Sequence, residues 1–126
     1  SGLNSSQRRQ ALIEEVKSEE QLVLIQRNVT QEIRSLHSAI RTARLNVESL
    51  EASLESTKDA LDATRLGYEL SSRNLIDLLQ AERTFADVQN RLSQARYSYL
   101  ITYLQFKQAT GALDPTDLIA VNNNLE

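Results

Sequence analysis

Apolar side chains recur along two stretches of the chain at steps that alternate between four and three. The first ladder runs Val29, Ile33, Leu36, Ile40, Ala43, Val47, Leu50, Leu54, Thr57, Leu61. The second runs Leu78, Ala81, Phe85, Val88, Leu92, Ala95, Tyr99, Thr102, Phe106, Ala109. This is the a/d heptad pattern, in which one stripe stays on one side of a helix and forms a supercoiled seam with a partner. The link between the ladders is Leu70-Ser71-Ser72-Arg73, and a connection that short makes the helices antiparallel neighbours. The sequence therefore predicts an all-α chain, a long antiparallel coiled-coil hairpin with a short C-terminal helix. Its parts are a first helix over residues 1–70, regular from about residue 6 to 69. A tip at 71–73, a second helix at 74–110, and a short helix and tail at 111–126 follow.

Folding the chain about Ser71-Ser72 sets Thr110 opposite about Ile33. About the first 25 residues of helix 1 then overhang their partner. At 1.5 Å per residue the two helices measure roughly 95 Å and 55 Å. The overhang carries Ala11, Leu12, Val16, Leu22, Val23, Leu24 and Ile25, side chains that call for cover from elsewhere. Helix 2 broadens its apolar face near its end with Leu100, Ile101, Tyr103 and Leu104, which implies a third helix or another subunit. Gly111 suits a C-cap, and Asp114-Pro115-Thr116-Asp117 suits the start of a short helix over residues 116–121.

Composition agrees with this picture. The chain of 126 residues has 3 Gly, 1 Pro, no Cys, no Met and no Trp, too few breakers for many turns. Net charge is −3 with both signs interspersed and no basic stripe, which weighs against nucleic acid as a partner. The absence of Cys removes disulfide and thiolate chemistry. No apolar run reaches the ~20 residues of a membrane-spanning helix.

Enzyme chemistry has little to work with, and no catalytic residue, cofactor site or metal site is assigned. His37 is the single histidine and falls on the rim of the seam. The carboxylates sit outside the ladders, as solvated faces do. The tip is different. Ser71, Ser72 or Asn74 can cap helix 2, and Asp77 falls near its positive end. Tyr68, Leu70 and Arg73 are not needed for a turn, and at the end of a hairpin they project into solvent. That pattern points to recognition or gating.

The run Ala63-Thr64-Arg65-Leu66-Gly67-Tyr68-Glu69-Leu70, with Arg73 and Asp77-Leu78-Leu79, resembles the tip of TolC-type outer-membrane efflux channels. Their pattern is roughly A-x-x-x-G-Y-x-V-G-T-R-T-x-x-D-V-L. The likeness continues through Ala95-Arg96-Tyr97-Ser98-Tyr99-Leu100, Gln108-Ala109-Thr110-Gly111-Ala112-Leu113 and Asp117-Leu118. It also takes in the opening Ser1-Gly2-Leu3-Asn4-Ser5-Ser6-Gln7.

The resemblance implies a homotrimer with a β-barrel in the outer membrane of a Gram-negative bacterium and an α-helical tunnel through the periplasm. This chain would be the second helical hairpin of a subunit. Its tip, Leu70, Ser71 and Ser72, would dock a periplasmic adaptor protein that links the channel to an inner-membrane pump. Tyr68 and Arg73 would fall at gate positions and Asp77 at an acidic ring. Two positions depart from the family pattern. Ser71 stands where the tip glycine is expected, which would strain a backbone of positive φ. Gln80 stands where the ring would have a second acid. The alternative reading, a generic coiled-coil interaction module without a transport role, explains the heptads but not the tip.

Overall fold

The computed structural model describes residues 2–111; the short helix expected over residues 116–121 lies outside them. Two helices account for most of these residues: α1, Gly2–Glu69, and α2, Leu75–Thr110. No proline falls within either helix, and Gly67 is the one glycine interior to them, so the ladder of backbone hydrogen bonds has nothing to interrupt it. α1 starts at Gly2, earlier than the residue at which its regular pattern begins, because the polar opening residues place no breaker after that glycine. Threonines inside the helices turn their hydroxyls back onto the preceding turn. Thr57 donates to the Ser53 carbonyl at 2.8 Å and Thr64 to the Ala60 carbonyl at 2.7 Å. This lets Thr57 occupy a seam position without an unsatisfied hydroxyl.

The described residues divide into two units, the first reaching Ser35 and the second starting at Leu36. In the first unit, every described side chain before Ile33 is exposed, including Leu12, Leu22, Leu24 and Ile25.

The second unit holds the remainder of α1, the turn and α2, packed as an antiparallel pair. Three contacts set the register. Arg96 meets Glu51 at 3.4 Å, Arg65 meets Glu82 at 3.8 Å, and the rings of His37 and Phe106 lie 6.2 Å apart at 56°. Both ion pairs are centred between Arg73 and Asn74, and the ring pair between Ser71 and Ser72, as one hairpin requires. The ion pairs are exposed and contribute at most about 1 kcal/mol each.

The apolar seam supplies the cohesion. From Leu36 to Leu61 and from Leu78 to Ala109, every ladder position is partly or fully withdrawn from solvent. Val29, the first rung expected, is exposed. Among the described residues, Leu61, Val88, Leu92 and Ala95 are the ones buried outright, with Leu61 and Leu92 each 3% exposed. A buried Leu contributes about 1.5–3 kcal/mol, so this core is thin for its chain length. Among the described residues no helix is long and apolar enough to cross a membrane.

Candidate functional site

The turn between the helices is built by two interlocking caps. α1 ends with the Gly67 carbonyl accepting the Ser72 amide at 2.8 Å, while the Tyr68 carbonyl accepts the Ser71 amide at 3.1 Å. This pairing is a Schellman motif, which places its first post-helical residue in the left-handed region. That residue is Ser71, with φ 62°, the only non-glycine residue of positive φ among those described. The strain foreseen for a serine at this position is therefore present. The Gly67 carbonyl carries more than the motif asks, since it also accepts the Arg73 amide at 3.0 Å and the Ser72 hydroxyl at 3.1 Å.

α2 begins with Asn74 as its N-cap, in extended backbone at φ −94°, ψ 171°. The Asn74 side-chain carbonyl accepts the Asp77 amide at 2.9 Å, and the Asp77 carboxylate accepts the Asn74 amide at 3.5 Å. This reciprocal capping box occupies donors that the helix itself leaves open. Of the three capping candidates in the sequence, the structure uses Asn74; Ser71 and Ser72 close α1 instead. Asp77 is half-buried and takes part in the cap, a role it combines with its place near the positive helix end.

The backbone amides from Leu70 to Asn74 are thus all bonded at the turn, while its large side chains face water. Leu70 is 70% exposed, Ile76 65% and Tyr68 43%; Leu66, Leu75 and Leu79 are more than half exposed. Leu75, Ile76 and Leu79 enlarge the apolar surface beyond the Tyr68 and Leu70 singled out from the sequence. Their signal was available, because all three lie off the a/d ladder of α2 yet are apolar. The structure places Tyr68, Leu70, Ser71, Ser72 and Arg73 at or beside the turn, with Asp77 in the first turn of α2. Among the described residues, no hydrogen bond or ion pair joins the side chains of Tyr68, Arg73 and Asp77.

The sequence as a whole matches known proteins. The family model of outer membrane efflux proteins matches residues 1–112. Over 124 residues, 98% of the chain, it is 36% identical to the outer membrane protein TolC of Salmonella enteritidis, covering 25% of that protein. The identity and coverage are the same for TolC of Escherichia coli (strain K12). The alkaline protease secretion protein AprF of Pseudomonas aeruginosa is 28% identical over 98 residues, 78% of the chain and 20% of that protein. The chain spans about a quarter of the length of these curated relatives.

Proposed function

Since the chain belongs to the family of outer membrane efflux proteins, we propose that it is a hairpin of the periplasmic helical tunnel of a trimeric efflux or secretion channel. In this reading Leu70, Ser71 and Ser72 dock a periplasmic adaptor protein, and Tyr68, Arg73 and Asp77 gate the duct. The relatives named for TolC and for protease secretion support export through an outer-membrane channel.

The observation that carries the reading is the tip itself. A turn whose backbone is tied by two caps presents Leu70, Leu75, Ile76 and Leu79 to water. Fixed backbone with exposed large apolar side chains is the make-up of a docking surface, since little conformational freedom is lost on binding. The gate has its own support. The Arg73 guanidinium and the Tyr68 hydroxyl have no partner within the described residues, so both are available to a neighbouring subunit through charge-assisted and hydroxyl hydrogen bonds. Loss of such ties lets rigid hairpins swing apart. Three copies of Asp77 around a narrow axis repel one another and attract cations.

Two measurements test the two parts. In the full-length protein, Tyr68→Phe and Arg73→Ala raise single-channel conductance; unchanged conductance in both single variants and in the double removes the gate. Capture of a periplasmic adaptor hairpin is lost on Leu70→Ser or Ser72→Trp; capture indifferent to both removes the docking tip and favours a plain coiled-coil module.

A further inference from the structure

Gly67 sits in the last turns of α1, where glycine is a poor helix former compared with alanine. Its backbone does not call for glycine, because the only glycine of positive φ among the described residues is Gly111. The reason lies in what crosses in front of it. A Cβ at Gly67 would stand 2.6 Å from Cγ of Arg73, 3.2 Å from Oγ of Ser72 and 3.4 Å from Cβ of Arg73. Carbon atoms in good contact are about 3.5–4.0 Å apart, so the first of these positions is already taken. The chain returns over this point because the amides of Ser72 and Arg73 and the Ser72 hydroxyl all bond to the Gly67 carbonyl.

We propose that Gly67 is a positioning residue for Arg73: the vacancy left by its missing side chain is the slot that holds the base of the Arg73 side chain and so fixes the direction of its guanidinium. The importance of that direction for the pore rests on the gate reading above; the seating does not. Cγ is the first atom placed by χ1. A methyl group at position 67 cannot be accommodated by the flexible far end of the arginine. It forces χ1 toward another staggered well, about 120° away, and carries the charge with it. Alanine at this position also favours the helix, so the substitution redirects Arg73 without unfolding α1.

The test uses the full-length protein with Gly67→Ala, Arg73→Ala and the double variant, read by crystal structure and by single-channel conductance. The expected structure of Gly67→Ala shows Arg73 χ1 shifted by about 120° with the helix intact. Its conductance changes in the same direction and by the same factor as that of Arg73→Ala, and the double variant equals Arg73→Ala alone. An Arg73 that keeps its χ1 in Gly67→Ala overturns the proposal. So does a Gly67→Ala effect on conductance that persists undiminished when Arg73 is already Ala. A shifted χ1 with no conductance change in any variant, Arg73→Ala included, supports the seat and refutes the gate, so the two readings fail separately.

Discussion

Replacing Ser71 by Gly should stabilise the hairpin, and the size of the gain follows from one torsion angle. Ser71 has φ 62°, and no hydrogen bond of its hydroxyl offsets that conformation within the described residues. Holding a residue with a Cβ in the left-handed region costs about 1–2 kcal/mol. Glycine removes that strain, but it gives back about 0.5–1 kcal/mol through the larger conformational freedom of the unfolded chain. The net gain is about 0.5–1 kcal/mol, or an increase of about 2–4 °C in Tm for a chain of this size. Urea titration of the chain followed by far-UV circular dichroism measures it. Ser71→Ala is the control, because it removes the hydroxyl and keeps the Cβ, and it should lie close to the parent. Ser71→Val, with its branched Cβ, should be less stable than either. A Ser71→Gly variant no more stable than Ser71→Ala would refute the reasoning, since it would mean that the turn carries no left-handed strain in solution.

Leu92→Ala removes one of the two most deeply buried side chains and should lower stability by about 2–3 kcal/mol, at the low end for such changes because the narrow seam can collapse; thermal denaturation of the chain reads it. Asn74→Ala deletes the acceptor of the capping box and should cost about 1 kcal/mol in the same assay, with amide exchange speeding up at Asp77 before it does so at Leu92. Leu70→Ser should leave the stability within about 0.5 kcal/mol of the parent, since the side chain is mostly in water, while abolishing adaptor capture; a large loss of stability would show that Leu70 is structural instead.

The hairpin was legible because seam positions announce themselves through spacing alone. Both ladders named from the sequence coincide with the side chains withdrawn from water, with Val29 as the exception. A heptad extrapolated backwards says nothing about where a partner helix is present to cover it. The chemistry of Ser71 was legible as a condition, since a serine where glycine is expected is strained only if φ is positive there, and it is. The choice of Asn74 as cap among three polar candidates was not legible, because all three residue types satisfy the same donors. Nor was the packing of Arg73 over Gly67. Six positions separate them in sequence, and only the reversal of the chain brings them together. The proposed role of the tip rests on side chains that a turn does not need and on a short motif, and not on periodicity, which any coiled coil shares.

The four most deeply buried side chains among the described residues lie away from the turn, along the paired stretch of the two helices. A pull that separates the two helices sideways meets the seam one rung at a time, starting where contacts are shallow, so it proceeds as peeling under low force. A push along the helix axes must displace every rung together and also break the unbroken backbone ladder of each helix. The hairpin is thus soft to lateral parting and stiff to axial load. In the proposed tunnel, a wall made of such staves changes its bore while keeping its height.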